Sequence, residues 1–253
     1  MKVIIIGSGN VATVMGSTIV SAGHSVLQVA ARNAPAAAEL AAQWGCGYTT
    51  RWEAIEPSAD LYIVSLSDRA LPELNGELRL PGRLVVHTAG AAPLSALASV
   101  SERHGVLYPL QSLRKEVRPF PEFPLLIDAA RPEDLPLLEG FARTLARQVQ
   151  RADDALRLKL HVAAIFANNF TNYLYTLSAE FCRREGIDGT LLLPLIRETA
   201  ERVERYDPRT VQTGPAIRGD RVTMERHLEV LANYHNMSEL YRIISGQISD
   251  YYK

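Results

Sequence analysis

The chain has 253 residues, 47% of them hydrophobic and 22% charged, with a formal net charge of −1. A chain of this size can bury roughly 70–75% of its unfolded surface without metal or disulfide staples, and its scattered charges exclude the basic stripe that nucleic acid or an anionic membrane requires. The two cysteines, Cys46 and Cys182, lie far apart and outside any ligand spacing, which argues against a structural metal and for a reduced, cytoplasmic protein.

The N-terminal apolar run is stopped at Gly7, too early for a signal peptide or a membrane span. Apolar, largely β-branched runs at residues 3–6, 25–30, 61–65, 84–88, 105–107 and 124–127 alternate with small-residue helical stretches at 11–22, 34–44 and 94–104. This is the pattern of βαβ units, and the near-continuous apolarity of the runs predicts a parallel sheet covered on both faces. Asn33 and Pro35 supply an N-cap and a first-turn proline for the second helix. Three prolines within 119–124 mark an irregular connection.

From Asp153 the period changes to 3.6 residues. It predicts a long helix over 153–185 stopped by Gly186, then helices over 191–205, 221–233 and 237–248. The expected fold is α/β: a Rossmann doubly wound parallel sheet over 1–152, followed by an all-helical domain over 153–253.

The first strand runs directly into Gly7-Ser8-Gly9-Asn10-Val11-Ala12. In a dinucleotide turn Gly7 permits the sharp bend, Gly9 lets the backbone approach a pyrophosphate, and Ala12 lets the helix pack on the strand. The helix N-terminus offers N–H groups and a positive dipole end to the phosphates. A strand-to-helix turn that binds nothing is the other reading. An NAD site places an acid about 20 residues on, at the end of the second strand. Here no acid occurs between the glycines and Glu39, and Arg32 stands at the strand end with Asn33 beside it. A guanidinium there suits the 2′-phosphate of NADP, or is simply a solvated charge.

Four segments, DLYIVSLSD at 60–68, LVVHTAG at 84–90, GVLYPLQ at 105–111 and QTGPAIRGD at 212–220, resemble a set of uncharacterised NADP oxidoreductases. These have a Rossmann-like N-terminal domain and a helical C-terminal domain of unknown function. More distantly the chain is similar to pyrroline-5-carboxylate reductases, deazaflavin-dependent NADP reductases and the 6-phosphogluconate dehydrogenase superfamily, whose helical domains commonly dimerise. The resemblance covers nearly the whole chain and implies NADP as cofactor and a homodimer through the C-terminal helices. It implies no particular substrate.

Ser65, Leu66 and Ser67 follow one strand and His87 and Thr88 end another, at the carboxyl edge where open α/β sheets bind ligands. Ser65, Leu66, Ser67 and Thr88 are candidate cofactor contacts, while His87 is a candidate base or a packed strand-end histidine. Tyr108 and Gln111 lie at the same edge as candidates to orient a substrate. On the long helix, His161, Asn168 and Asn172 are spaced seven and four apart, which places them on one face of a continuous α-helix. That face either looks into the interdomain cleft or forms a dimer seam. Lys159 is followed four residues later by Ala163, unlike the lysine–asparagine spacing of hydroxyacid dehydrogenases. The acid or base is therefore one of His161, His87, Tyr108 or Lys159, with Asn168 as a further catalytic candidate. Arg218 is a candidate clamp for a substrate carboxylate or phosphate, or a partner for Asp220; Gln111 and Asn172 join it as candidate substrate contacts. The expected activity is hydride transfer between NADP(H) and a small carbonyl, imine or hydroxy-acid compound in the cleft. A non-catalytic NADP(H) sensor is the alternative, since fold does not fix function.

Overall fold

Strand β1 (Lys2–Ile6) buries Val3, Ile4, Ile5 and Ile6 completely, as apolar side chains on both sides of a strand do when the sheet is covered on both faces. It leads into α1 (Asn10–Ser21), and β2 (Ser25–Ala30) returns parallel to β1. Helix α2 (Ala34–Trp44) starts as expected: Asn33 Oδ1 accepts the Ala36 N–H at 3.1 Å, and Gly45 ends the helix at φ +67°. The two helices approach closely because Gly16 has no side chain. A Cβ there would lie 2.2 Å from the Trp44 ring.

The computed structural model describes residues 1–74 and 76–253. Strands β3 (Gly47–Thr49), β4 (Leu61–Val64), β5 (Val85–His87), β6 (His104–Pro109), β7 (Leu125–Ala129) and β8 (Val149–Arg151) complete an eight-stranded sheet in the order β3-β2-β1-β4-β5-β6-β7-β8. The sheet is the expected Rossmann arrangement, parallel throughout except that β6 and β7 are antiparallel. The sequence pattern does not show β3 and β8, because each has three residues, too few to display a period. Helix α3 (Leu135–Leu145), also unforeseen, joins β7 to β8 and buries Leu138, Phe141 and Ala142 in the core beneath the sheet.

The helix expected over 94–104 does not form. Leu94–Leu97 makes one 3₁₀ turn and the chain enters β6 at His104. Ser101 accounts for this: its hydroxyl donates to the Arg83 carbonyl at 2.6 Å and accepts the Arg103 N–H at 3.1 Å, local bonds that compete with helical ones.

The expected long helix is three consecutive pieces: α4 (Asp154–Ala164), a π-helical turn (Ile165–Phe170) and α5 (Thr171–Arg184). Asp153 caps α4 by accepting the Leu156 N–H at 2.8 Å. Leu156 and Leu160 pack against a cluster of Val106, Tyr108, Leu126 and Ala152, so α4 belongs with the sheet. The chain accordingly divides into two units, Met1–Asn169 and Phe170–Lys253. The second unit contains α5, α6 (Leu193–Arg205), α7 (Arg221–Val230) and α8 (His235–Tyr251). Gly186 closes α5 at φ +67°, with the Ile187 N–H bonded to the Cys182 carbonyl at 2.8 Å. Among the described residues no helix is long and apolar enough to cross a membrane.

Candidate functional site

The parallel strands β1, β4, β5 and β6 end at one edge of the sheet, and the site is assembled from the residues just beyond them. After β1, Gly7 adopts φ +127°, and a Cβ on it would lie 2.4 Å from the Ser65 carbonyl oxygen. The turn is therefore glycine for two independent reasons, backbone conformation and the close approach of β4. Gly9 is different. It is the extended N-cap of α1, exposed, and an added Cβ would have no neighbour within 4 Å. Gly9 has no side chain to cap α1, so among the described residues the first-turn N–H groups are left without a side-chain cap, with the positive end of the helix dipole behind them. Ser8 and Val11 are half-buried, Ala12 is fully buried, and Asn10 accepts the Lys115 N–H at 3.3 Å.

The Ser65 hydroxyl is buried at the end of β4 without a hydrogen-bond partner among the described residues. An orphan donor beside an open glycine cradle is what a dinucleotide would satisfy. Leu66 is half-buried and Ser67 exposed on the loop beyond. Arg32 stands after β2 at the same edge, with its side chain 65% exposed and paired to Glu73 at 2.9 Å. Asn33 is occupied as the α2 cap.

The Tyr108 hydroxyl, at the end of β6, shares a 3.0 Å hydrogen bond with Nδ1 of His161 on α4. Gly90, in the loop after β5, lies against both: a Cβ there would sit 2.7 Å from His161 Nδ1 and 3.0 Å from the Tyr108 hydroxyl. Three chain segments thus converge on one phenol–imidazole pair. Burial pushes the Tyr108 hydroxyl above the usual tyrosine value, with the Asp68 carboxylate acting in the same sense and Arg157 opposing it. Tyr108 therefore stays a protonated donor through neutral pH, while the half-buried His161 ring retains access to water.

Residues 2–90 match the family described as NADP oxidoreductase, coenzyme F420-dependent, and residues 123–248 match a domain of unknown function, DUF2520. Putative NADP oxidoreductase BF3122 from Bacteroides fragilis is 38% identical over 98% of each chain, with a TM-score of 0.89. The chain belongs to this NADP oxidoreductase family. Its cofactor is NADP. Two more distant structures share the fold: a reductive aminase from Aspergillus terreus in complex with NADPH and ethyl-5-oxohexanoate (20% identity, 98% of this chain and 92% of that one, TM-score 0.72) and 1-pyrroline-5-carboxylate reductase from Streptococcus pyogenes (14% identity, 99% and 98%, TM-score 0.63). No curated protein matches the chain.

Other sequence-derived candidates of this oxidoreductase have different surroundings. His87 is fully buried with both nitrogens engaged, Nε2 at 3.2 Å from the Pro93 carbonyl and Nδ1 accepting the Ala89 N–H at 3.2 Å. Burial, with Arg157 second, lowers its pKa to about 4. It shapes the loop after β5. Thr88 is buried and bonds through its N–H to the Val64 carbonyl at 3.1 Å. Gln111 braces its own turn, accepting the Ser112 N–H at 2.9 Å and donating to the Glu122 carbonyl at 3.4 Å.

The one-face argument for His161, Asn168 and Asn172 does not hold. Asn168 lies within a π-helical turn, where the α-helical spacing on which that argument rests no longer applies. Asn168 is exposed in the first unit; Asn172 is exposed near the start of α5 in the second. Lys159 is exposed on α4. Arg218 is also exposed, and Asp220 is occupied in capping α7, accepting the Thr223 N–H at 3.1 Å and its hydroxyl at 2.7 Å.

A cavity of about 360 Å³ opens between the loops after β4 and β5, lined by Asp68, Leu71, Pro72, Ala91, Ala92, Pro93, Ser95 and Ala96. A larger one of about 720 Å³, bounded by Phe120, Phe123 and Arg147 among others, shares no residue with the glycine turn or the Tyr108–His161 pair.

Proposed function

We propose that this oxidoreductase reduces a small carbonyl or imine compound, or runs the reverse reaction on a hydroxy acid or amine, using Tyr108 and His161 for proton transfer. The observation that carries this reading is the 3.0 Å Tyr108–His161 hydrogen bond at the sheet edge where the glycine turn and Ser65 also lie. NADP(H), when bound, supplies or accepts the hydride. Gly9 and the α1 N-terminus hold its pyrophosphate, the Ser65 hydroxyl its ribose–nicotinamide half, and Arg32 its 2′-phosphate after exchanging Glu73 for it. On reduction the substrate oxygen or nitrogen needs a proton. Tyr108 provides it, and His161 returns a proton from Nδ1 to the phenolate oxygen and is replenished by water.

Screening carbonyls and imines with NADPH, and alcohols and amines with NADP, by nicotinamide absorbance tests the reading. Tyr108→Phe and His161→Ala should each lower turnover by about 10²–10⁴-fold and leave NADPH affinity near normal. Undiminished turnover in both variants refutes the assignment. Binding without turnover across a broad panel instead favours an NADP(H) sensor.

We also propose that the second unit pairs with a second copy of the chain. Of residues 170–253 only Cys182, Ala216, Leu231 and Ser238 are buried, while Leu191, Leu193, Leu195, Val203 and Tyr206 around α6 are each more than half exposed. Helices with so small a core gain little from burial alone. A self-complementary contact between two copies supplies the missing apolar partner, and the near-zero net charge does not oppose it. Sedimentation equilibrium should give twice the 27.9 kDa chain mass, and a monomer at micromolar concentration overturns the pairing. The free thiols of Cys46 and Cys182 support a reducing, cytoplasmic setting.

A further inference from the structure

We propose that Arg157, working with Asp154, is the positioning residue for the Tyr108–His161 pair: it ties the loop after β5 to α4 and so sets where His161 meets Tyr108. The inference rests on the reading of that pair as the proton-transfer group. Arg157 is 1% exposed and stands one helical turn before His161 on α4. Its Nη2 donates to the Ala92 carbonyl and to Asp154 Oδ1, the latter at 2.7 Å, and the same carboxylate oxygen accepts the Leu94 N–H at 2.8 Å.

His87 holds the other contacts of this loop, bonding the Ala89 N–H and the Pro93 carbonyl. Residues 89, 92, 93 and 94 are thereby tied down, and between them Gly90 is pressed against the Tyr108 hydroxyl and the His161 ring. Because Arg157 and His161 share one helix, the ties that fix the loop on α4 also fix the imidazole relative to Gly90 and Tyr108.

Arg157 is a poor choice for packing alone. Its Nε and Nη1 are buried without a hydrogen-bond partner among the described residues, and an apolar side chain of similar volume would fill the space without that desolvation cost. The arginine instead contributes direction, through the anchored Nη2, and a positive charge that opposes the effect of burial and of Asp68 on the Tyr108 hydroxyl. Both properties bear on how Tyr108 and His161 handle a proton. Neither is visible to a residue that merely fills a core.

The test uses the full chain labelled with ¹⁵N-histidine, so that the hydrogen-bonded Nδ1 of His161 is read directly by NMR without a substrate. Two variants are compared with the parent. Arg157→Lys keeps the charge but loses the planar fork; Asp154→Ala removes the partner at a half-exposed position and leaves the buried core in place. In each folded variant the His161 Nδ1 signal should shift towards that of a solvent-bonded imidazole. Turnover should fall by roughly 10- to 100-fold, with NADPH affinity within about twofold of the parent. An unchanged His161 signal in both folded variants overturns the proposal, as does a turnover loss with the signal intact. A parent protein that shows the bonded Nδ1 yet turns over nothing counts against the proton-transfer reading only, because the NMR comparison still decides the role of Arg157.

Discussion

Replacing the two turn glycines by alanine, one at a time, should separate loss of fold from loss of cofactor. At Gly7 the backbone φ of +127° costs an alanine about 1–3 kcal/mol. The added Cβ would also stand 2.4 Å from the Ser65 carbonyl oxygen. Ser65 cannot easily retreat, since its N–H is bonded to the Ile6 carbonyl at 2.7 Å, so overpacking adds about 1–3 kcal/mol. Gly7→Ala should therefore lose about 2–6 kcal/mol, much of the 5–15 kcal/mol typical of a whole domain. At Gly9 the backbone is already extended, at φ −86° and ψ −168°, and nothing lies within 4 Å of the new methyl. Alanine lowers the conformational entropy of the unfolded chain, which favours the fold by about 0.4–1 kcal/mol and roughly offsets its weaker N-cap propensity. The fold should stay intact. The methyl then occupies the space through which the pyrophosphate reaches the α1 N–H groups, and losing one charge-assisted bond of about 1.5–3 kcal/mol weakens NADPH by roughly 10- to 100-fold. Urea denaturation followed by circular dichroism and NADPH titration by fluorescence measure the two effects. The reasoning fails if Gly9→Ala binds NADPH like the parent, or if Gly7→Ala unfolds at the parent's urea midpoint.

Arg32→Ala should weaken NADPH by about 10-fold or more, the scale of a charge-assisted phosphate contact, and leave NADH unchanged; equal losses for both would remove Arg32 from the 2′-phosphate site. Glu73→Gln should strengthen NADPH a few-fold by removing the carboxylate that holds Arg32 at 2.9 Å, as titrations of the two variants side by side will show. Buried His87 has a folded pKa of about 4, below its ordinary value of 6.5, so the unfolded chain takes up the proton first as pH falls. Stability is complete above about pH 6.5 and declines towards pH 4; between pH 7 and 5 the loss is about 2 kcal/mol from this group alone. Urea midpoints across that range should show the slope in the parent, and a His87→Gln protein that retains it would assign the slope to other groups.

The glycine turn is legible in the sequence because everything that defines it is local: a short apolar strand, two glycines and a small residue in six consecutive positions. The absence of an acid before Glu39 and the presence of Arg32 are equally readable, since both lie at fixed offsets from that turn. Short elements are not. β3 and β8 exist because neighbouring strands offer them backbone partners, and three residues carry no periodicity of their own. The π-helical turn at Ile165–Phe170 is hidden for the opposite reason: the apolar stretch before it continues a helical period, so the pattern carries α-helical spacing through to Asn168, where the backbone does not keep it.

The chemistry of the site shows where reading along a chain stops. Tyr108 and His161 are separated by 53 residues and meet only because β6 ends where α4 crosses it; each alone is an ordinary tyrosine or histidine. Gly90 gives a signal, a glycine closing the strand-end segment LVVHTAG, but the meaning of that glycine lies in a contact with two other elements. Arg157 gives none, because one arginine among the leucines at 156, 158 and 160 looks like the polar face of an amphipathic helix, whereas it is one of the largest fully buried side chains. A sensor of NADP(H) would need the glycine turn and Arg32 but has no use for a phenol–imidazole pair with a buried guanidinium fixing its surroundings. These three side chains, rather than the cofactor turn, are the part of the structure that argues for turnover.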